Sequence, residues 1–522
     1  YTTNGESLDW NSNAFLYYTR SFNKQHNLNV SAGWEAASGT TESTNAHYRG
    51  FPSGEFHSLN YAAEVYKKPT RTENTTRRVS VLASANYTWN DIYLVDASVR
   101  FDGSSEFGAN QKWAPFFSGG LGVNIHNYDF FKSNGYINKL KLRASYGRTG
   151  KVNFPAYAAT TMYETLFDEW YITGYGAVLK ALGNKDLTWE KTDKLSVGIE
   201  TKTFHDRLTV DFEYYYNKTI DLVNDVTLSQ TSGFSTYKDN MGQVANKGVE
   251  LKLRADIYRD RNWNVALWGN MAHNKNEILK ISDSQKAYNE RVAAYYKNEA
   301  LYQETLGLSH GAEYSVPLPQ YEEGASLTSI WAVRSLGIDP TTGKEIFLNR
   351  DGSIADKWNA AQEVVVGNTE PKCSGAFGLN LSYKNWTLFA SFLYEWGGQE
   401  YNQTLVNNVE NADLVNKNVD LRVLTDRWKK PGDIAQFKDI KDRGMTTLPT
   451  SRFVQDKALV RLNSLNVSYD FNRDWIKKHL RMNLLRLEAS TSDLINWSSI
   501  KQERGLSYPR SWKVEFSLKA QF

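Results

Sequence analysis

The chain has one cysteine in 522 residues, and this scarcity excludes two common ways of stabilising a fold. Cys373 alone can form neither an internal disulfide nor a cysteine-based zinc site. Its place just after Pro371 predicts a passive residue rather than a nucleophile. The eight histidines are scattered, and no two lie at metal-ligand spacing. We therefore expect no catalytic residues, no metal, no cofactor and no enzymatic activity.

Long apolar runs and a strong net charge are also missing. No stretch of about 18 apolar residues occurs, which excludes a transmembrane helix. A membrane is not excluded, since barrel strands need only about 9–11 alternating residues each. The net charge of +3 gives no electrostatic argument for a nucleic-acid partner. In contrast, 31 tyrosines and 16 tryptophans supply the residues that membrane-interface belts require, although carbohydrate-binding proteins share this bias.

The last twelve residues alternate between apolar and polar side chains without a break. A period of two indicates a β-strand with one apolar and one wet face. The apolar face holds Trp512, Val514, Phe516, Leu518, Ala520 and Phe522. A terminal strand that ends on an aromatic residue resembles the signal that outer-membrane barrels present to their insertion machinery. Phe522 is therefore predicted to be an assembly signal.

The same alternation recurs in about fifteen segments along the chain. They lie near residues 13–22, 26–37, 78–89, 92–104, 112–125, 139–151, 191–204, 207–223, 242–258, 262–278, 375–385, 386–398, 458–471, 483–496 and 511–522. The strands of a soluble β-sandwich show the same alternation. The lengths of the connections are therefore needed to distinguish a sandwich from a transmembrane barrel.

Tight turns such as 90–91 and 384–385 separate much longer connections, which are residues 38–77, 152–190, 279–374 and 399–457. Short turns at one end and long loops at the other are typical of outer-membrane barrels. The sequence therefore predicts an all-β fold, a transmembrane antiparallel up-and-down barrel with long extracellular loops.

The spacing of two tryptophans supports the same fold. Trp386 and Trp396 bracket one predicted strand, and ten residues at about 3.3 Å each, tilted about 40°, rise roughly 25 Å. This distance matches the apolar band of an outer-membrane barrel with an aromatic residue at each interface. The alternative is a pair of core tryptophans on one strand of a sandwich.

The strand count suggests an incomplete barrel. Fifteen is odd, whereas single-chain bacterial barrels have even counts. Either one strand is miscounted, or residues 1–522 are the C-terminal part of a larger barrel, which we prefer. The chain also begins at Tyr1 without a signal peptide, as expected if an exported protein has lost its beginning.

Several blocks along the chain resemble signatures of the SusC/RagA-type TonB-dependent transporters. They are residues 99–108 with 113–120, 140–150, 182–192 with 214–222, 240–250, 329–340 and 459–466. Each block alone is weak. Together they are specific, because they occur in order along essentially the whole chain up to Phe522.

The resemblance implies an outer-membrane importer of Bacteroidota-type bacteria. Members of that family are 22-stranded barrels with an N-terminal plug and a SusD-like surface lipoprotein as a lid. The lid captures oligosaccharide or peptide, and the TonB–ExbB–ExbD system transmits the inner-membrane proton-motive force to the plug. The chain departs from the family by lacking the plug, the TonB-contacting segment and the first strands. Its strands would then be about the last fifteen of twenty-two, with outer-membrane lipids around them.

Substrate contacts are expected on the long loops and the lumen wall, where aromatic side chains and hydrogen-bonding groups bind polyols or peptides. The predicted ligand-binding residues are Trp170, Tyr171, Tyr175, Trp331, Trp396 and Tyr401. For each of them the alternative is loop packing, anchoring at the lipid interface or contact with a lid protein. Segments 339–343 and 349–352 predict hairpin turns, with a calcium site as the alternative.

The leading functional hypothesis is import of oligosaccharides, the products of glycan breakdown, through a plugged and lidded barrel. One alternative is an oligopeptide importer of the RagA type. Others are a siderophore-type receptor, a plug-free porin, and a surface adhesin or scaffold whose barrel merely anchors its loops. Family members differ mainly in their loops, so the sequence leaves the substrate open between glycan and peptide.

Overall fold

The structure is a computed structural model of the chain. It describes residues 2–52, 58–132, 135–152, 154, 156–172, 174–227, 236–240, 242–414, 419–471, 473–501 and 512–522. Two compact units are present. The first comprises Tyr1–Val123, Ala144–Leu195 and Lys218–Gln243, and the second comprises Asn124–Arg143, Ser196–Asn217 and Val244–Phe522.

Strands dominate the described residues. In chain order they are β1 (Thr2–Phe22), β2 (His26–Arg49), β3 (Glu64–Trp89), β4 (Tyr93–Ser104), β5 (Trp113–Asn124), β6 (Ile137–Lys151), β7 (Met162–Tyr171), β8 (Gly174–Ala181), β9 (Glu190–Thr203), β10 (Leu208–Ile220), β11 (Val223–Thr227), β12 (Thr236–Asn240), β13 (Gln243–Arg259), β14 (Trp263–Lys280), β15 (Ser329–Ile338), β16 (Glu345–Leu348), β17 (Ile354–Ala355), β18 (Glu363–Asn368), β19 (Cys373–Tyr383), β20 (Trp386–Tyr401), β21 (Val454–Asp470), β22 (Leu484–Thr491), β23 (Asn496–Ser498) and β24 (Val514–Gln521).

Helices are few in comparison. The α-helical segments are α1 (Asp129–Lys132), α2 (Asp283–Leu306), α3 (Gln403–Leu405), α4 (Arg422–Thr425) and α5 (Arg473–Leu480). Single turns of 3₁₀-helix occur at Leu59–Tyr61, Ile125–Asn127, Ala312–Ser315, Ala360–Gln362, Ile440–Gly444 and Ser451–Phe453, and a π-helical turn at Val406–Glu410. Across the described ranges, no helix combines the length and the apolarity needed to cross a membrane.

Sixteen strands form one antiparallel sheet, whose neighbours follow the order of the chain. The order is β1-β2-β3-β4-β5-β6-β9-β10-β13-β14-β19-β20-β21-β22-β24, with β23 paired to β21. Each of the fifteen predicted segments corresponds to one strand of this path, so the up-and-down arrangement is confirmed. The predicted tight turn between β3 and β4 is also present. Asn90 and Asp91 both have positive φ, 54° and 55°, as two-residue hairpin turns require.

The first unit contains longer strands than the sequence predicted. Residues 38–77 were expected to be mostly loop, but β2 continues to Arg49 and β3 begins at Glu64. These extensions are rich in threonine, which favours strands without producing an apolar face. Alternation of polarity therefore could not reveal them.

Three of the blocks singled out in the sequence form a core in the first unit. Phe107 stacks on Trp189 with ring centroids 4.3 Å apart, and Trp189 meets Phe116 edge-on at 5.4 Å. A Cβ atom at Gly108 would lie 2.0 Å from the carbonyl oxygen of Lys185, so this close approach requires glycine. The core is completed by Ala114, Phe154, Ala159, Leu187 and Val223. The blocks at 99–108, 113–120 and 182–192 thus have a structural role.

The long connections of the second unit fold into a body of their own, residues 281–372, 402–414 and 419–453, which we call the loop body. A four-stranded sheet in the order β17-β16-β15-β18 lies within it. Helix α2 begins with a capping box between Ser282 and Gln285 and ends at Gly307 in the left-handed conformation, with φ of 64°. Its core residues are Val292, Tyr296, Leu405, Val406, Val409, Ala412, Val423, Phe437, Leu448 and Phe453.

In the second unit the main sheet has one apolar and one polar face. Trp386 and Trp396 both lie on the apolar face and are 52% and 68% exposed. Near the short turns, aromatic rings pair across neighbouring strands, with Trp263 and Tyr383 4.2 Å apart and Trp386 and Tyr469 4.8 Å apart. The polar face carries ion pairs, such as Arg143 donating to Asp211 at 2.8 Å. This pattern matches the predicted interfaces at the two ends of one strand.

Candidate functional site

A pocket of about 460 Å³ opens in the second unit, where the loop body meets the end of β20. It brings together two predicted ligand-binding residues, Trp331 and Tyr401, which are seventy positions apart in the sequence. Its lining is mostly apolar with a few polar groups, which is typical of small-molecule sites of this size. The lining residues are Val316, Pro317, Leu318, Pro319, Leu327, Thr328, Ser329, Ile330, Trp331, Thr369, Glu400, Tyr401 and Gln403.

One wall of the pocket is the segment 316–319, which reads Val-Pro-Leu-Pro. The two proline rings fix φ and stiffen the segment before any ligand arrives. Tyr296 of α2 lies buried behind this wall, where its hydroxyl donates to the carbonyl oxygen of Val316. The same hydroxyl accepts a hydrogen bond from the backbone N–H of Leu318 at 2.9 Å. Burial raises the pKa of Tyr296, so this phenol stays a neutral donor and acceptor.

The opposite wall comes from β15, which pairs with β16 on one side and β18 on the other. Residues 330–333 of this strand are all buried, as expected for a strand covered on both faces. Trp331 is only 3% exposed, so its ring packs into the loop body instead of presenting an open platform. Its indole N–H is buried and has no hydrogen-bond partner among the described residues. This N–H is therefore unsatisfied and shielded from solvent.

The third wall is the end of β20 and the short helix α3. The ring of Tyr401 meets Phe453 edge-on, with centroids 6.0 Å apart, and burial raises the pKa of the Tyr401 phenol. Gln403 donates from its side-chain nitrogen to Ser315 Oγ at 2.6 Å and to Asn407 Oδ1 at 3.0 Å. These bonds fix the orientation of the amide. Its oxygen is buried without a partner in the part of the chain that the structure describes.

A buried charge cluster supports the walls from behind. Arg452 donates to Glu345 at 2.8 Å and to Glu410 at 2.7 Å, so it joins β16, the turn 406–410 and the turn 451–453. Burial alone would lower the pKa of Arg452. The attraction between its guanidinium and the two carboxylates is the larger effect, so this pKa is raised above its usual value. Burial likewise opposes ionisation of Glu345, yet Arg452 holds the pKa of that carboxyl below its usual range.

A second buried carboxyl group behaves in the opposite way. Glu363 on β18 receives a hydrogen bond from the Gln320 side chain, while Arg350 donates to its backbone oxygen at 3.1 Å. Because Arg350 contacts the backbone and not the carboxylate, burial dominates and raises the pKa of Glu363 to about 7. The loop body thus contains a group that changes charge near neutral pH.

The other predicted ligand-binding residues lie elsewhere. Trp170 and Tyr171 end β7, which forms a two-stranded hairpin with β8 in the first unit, and their side chains lie outside the described residues. Tyr175 pairs with Trp170 across this hairpin and is exposed. Trp396 lies on the apolar face of the main sheet. The structure therefore brings Trp331 and Tyr401 together in one pocket, and Trp396 is not among the residues that line it.

Sequence reasoning missed several residues that build the pocket. The Pro-x-Pro pattern at 317–319 was a readable signal for a stiff wall. Gln403 gave no signal, because its role depends on which of its atoms the fold satisfies. The segments 339–343 and 349–352 form turns, with Asp339 accepting from the Thr341 N–H at 2.9 Å. No group of acidic, histidine or cysteine side chains able to hold a metal occurs among the described residues.

Comparison with known proteins assigns the fold. Residues 1–484 match the family model described as TonB dependent receptor-like, beta-barrel. The chain belongs to this family. It is 26% identical to TonB-dependent receptor P39 of Formosa agariphila over 98% of the chain, and 29% identical to TonB-dependent receptor SusC of Bacteroides thetaiotaomicron over 46% of it. These alignments cover 53% and 25% of the two relatives.

The RagAB peptide importer in its open-open state shares the fold, with a TM-score of 0.82 and 22% identity. The alignment covers all of this chain and 55% of that one. The chain thus spans about half the length of the relatives it matches. As a TonB-dependent receptor barrel of the SusC/RagA type, it is an outer-membrane protein. The apolar face of the main sheet is its lipid face, and the polar face is its lumen face.

Proposed function

We propose that the whole protein imports oligosaccharides across the outer membrane through a plugged barrel, energised by TonB and capped by a SusD-like lipoprotein. In this proposal the pocket between Trp331 and Tyr401 contacts the substrate. The observation that carries it is a preformed pocket lined by two residues, Trp331 and Gln403, whose indole N–H and side-chain oxygen are buried without a partner among the described residues. Family membership supports the transport class.

The chemistry of the pocket suits a sugar. A pyranose ring offers apolar C–H faces, which pack on walls such as Pro317, Leu318 and Ile330. Its hydroxyl groups both donate and accept, so they match the chemistry of the Trp331 N–H as well as that of the Gln403 oxygen. Leaving these two atoms buried and unpaired is costly, about 1–3 kcal/mol each, and a ligand that pairs them recovers that cost. The volume of about 460 Å³ has room for a short oligosaccharide end.

Peptide import is the alternative, since RagAB, which has the same fold, is a peptide importer. A peptide also offers N–H and C=O groups, and prolines stack well on apolar peptide side chains. The two proposals predict different ligands, so a direct comparison of oligosaccharide binding and peptide binding separates them.

The test uses the full-length protein with its lipoprotein partner. Binding of a defined oligosaccharide mixture and of a peptide mixture would be compared by calorimetry in detergent. Trp331→Phe removes the N–H donor and keeps most of the packing, so we expect about fivefold weaker sugar binding. Trp428→Phe is the matched control, because its indole donates to the Pro340 carbonyl oxygen away from the pocket. Peptide binding without sugar binding would contradict the proposal, and so would equal affinity of Trp331→Phe and the parent protein.

A further inference from the structure

A second groove, of about 560 Å³, lies at the loop end of β14, β19, β20 and β21 in the second unit. Trp396 lines it and projects from the lipid face, where it pairs with Cys373 on one side and Ala458 on the other. The side of the groove that Trp396 and Ala458 form is therefore on the outside of the barrel wall. Its lining residues are His273, Asn274, Lys275, Asn368, Glu370, Pro371, Lys372, Trp396, Gly397, Gln399, Asp456, Lys457, Ala458 and Ser499.

The depth of the groove in the membrane follows from β20. Trp386 and Trp396 are ten residues apart on the same face, which corresponds to roughly 25 Å along the membrane normal. With Trp386 at the interface next to the short turns, Trp396 lies at the opposite interface, where the long loops begin. In outer-membrane barrels this is the outer-leaflet side, at the level of the lipid headgroups.

Lys372 is held in place at this level. The Nδ1–H of His273 donates to the Lys372 carbonyl oxygen at 2.6 Å. The aliphatic stem of Lys372 lies against Gly397, whose φ is 79°, and a Cβ at that glycine would be 2.9 Å from the lysine Cβ. The stem thus covers apolar surface while the ammonium group reaches the headgroup region, as long cationic side chains do at membrane interfaces.

The carboxylates near the groove are mostly engaged by other groups. Glu370 accepts hydrogen bonds from the Asn274 side chain and, at 3.3 Å, from the Asn276 N–H. Asp456 accepts from the Gln399 side chain at 3.1 Å.

Three lysines against two carboxylates leave the lining with a positive balance. The Lys457 ammonium is held by Glu400 at 3.2 Å and by Glu395 at 3.6 Å. The Lys275 ammonium lies 3.4 Å from a carboxylate oxygen of Glu277. Lys372 forms no ion pair with any described residue. The cations accessible to an anionic partner are therefore Lys372 and Lys275, since the Lys275 side chain is 59% exposed and its partner Glu277 also pairs with Lys247 at 3.7 Å.

We propose that this groove binds a phosphorylated glycolipid of the outer leaflet, of the lipid A class. Its phosphate binds the ammonium groups of Lys372 and Lys275, and its sugar packs on the exposed indole of Trp396. A lipid is favoured over a soluble anion because Trp396 and Ala458 continue the lipid face directly below the lysines. The proposal depends on the membrane placement of the strands and not on the transported substrate.

The test is quantification of lipid A that co-purifies with the full-length protein, by mass spectrometry after extraction from the outer membrane. Lys275→Gln with Lys372→Gln should lower the lipid A per protein at least fivefold. Lys24→Gln with Lys384→Gln is the matched control, because both lysines lie in short turns, and it should leave the lipid content unchanged. Equal lipid A in the double variant and the parent protein would overturn the site.

A second measurement separates the lipid from a free anion. Delipidated protein would be titrated with lipid A in bicelles and, separately, with inorganic phosphate. The proposal expects saturable binding of lipid A that the double variant loses, and no measurable binding of phosphate at equal concentration. Binding of inorganic phosphate as tight as that of lipid A would overturn the assignment to a lipid.

Discussion

Substituting Arg452 by methionine would leave two buried carboxylates, Glu345 and Glu410, without the guanidinium that contacts both. The side chains of these three residues are 10%, 9% and 0% exposed. Removing one member of a buried ion-pair cluster costs about 3–5 kcal/mol, because the remaining charge stays uncompensated in a poorly solvated site. We expect the upper half of this range for local unfolding of the loop body, since two carboxylates lose one partner.

The destabilisation should depend on pH in a defined direction. In the native protein the pKa of Glu345 is lowered, so its ion pair stabilises the fold above about pH 4.5 and this contribution is lost as pH falls through the lowered pKa. In Arg452→Met, Glu345 loses the guanidinium, and burial, opposed then only by hydrogen bonds from Ser335 and Thr450, shifts the pKa of that carboxyl upward and favours its protonated form. The difference between variant and native protein is therefore largest at pH 8 and shrinks towards pH 5.

Hydrogen exchange followed by mass spectrometry measures this locally, because loops and barrel open with different free energies. Peptides covering 343–348 and 405–412 should lose protection in Arg452→Met, while peptides from β20 should not. Lys357→Met is the control, since the Lys357–Glu304 pair lies on the surface of the same loop body, and it should change protection little. Unchanged protection in Arg452→Met, or a loss that is the same at pH 5 and pH 8, would refute the reasoning.

Three further predictions address other parts of the molecule. Leu251→Arg, on the lipid face near mid-membrane, should cost about 2–4 kcal/mol in a vesicle folding assay, and Lys252→Leu on the lumen face far less; equal effects would contradict the assigned faces. The pKa of about 7 for Glu363 lies above its ordinary value of 4.5, so the stability of the loop body should fall as pH rises between these values. Glu363→Gln should remove that slope in thermal unfolding from pH 4 to 8, and a slope that persists would exclude Glu363 as its origin. Gly108→Ala places a Cβ 2.0 Å from a backbone carbonyl oxygen and should cost about 1–3 kcal/mol or more of stability, measured as a lower melting temperature. Gly135→Ala is the control, because its Cβ would meet nothing within 4 Å and should leave the melting temperature unchanged.

The main sheet was predictable because membrane strands alternate between two solvents. In β20 every second side chain from Trp386 to Trp396 faces lipid, and the period of two is visible in the sequence. The terminal strand β24 shows the same pattern and pairs with β22. Strand extensions beyond the predicted segments, such as 38–49, carry mostly polar side chains on both faces and lose the alternation. The sequence therefore revealed the strands where they cross the membrane and not their full length.

The loop body was not predictable in the same way, although one local signal existed. Ser282 and Gln285 form a capping box at the start of α2, which sequence spacing alone can suggest. The next element, β15, is buried on both faces, so its apolar run 330–333 has no alternation to read. Trp331 and Tyr401 line one pocket only because β18, the pairing partner of β15, packs against β20. No spacing rule connects residues so far apart.

Tryptophans in this chain illustrate why residue type alone could not locate the site. Trp189 lies in the core of the first unit, Trp331 lines a pocket with its indole N–H buried, and Trp396 faces lipid at a membrane interface. All three are aromatic residues near long loops, and a search for sugar-binding platforms would treat them alike. Their roles are set by which face of which strand carries them, and hence by pairing register.

The buried cluster around Arg452 bears on how the pocket would bind its ligand. It ties three separate segments together behind the walls, and the prolines of 316–319 restrict a fourth. Walls fixed in this way lose little conformational freedom when a ligand enters, so more of the contact energy remains as affinity. If this reasoning is right, Arg452→Met should weaken substrate binding even though Arg452 does not line the pocket. The loss should be largest at pH 8, where the loop body of the variant opens most often.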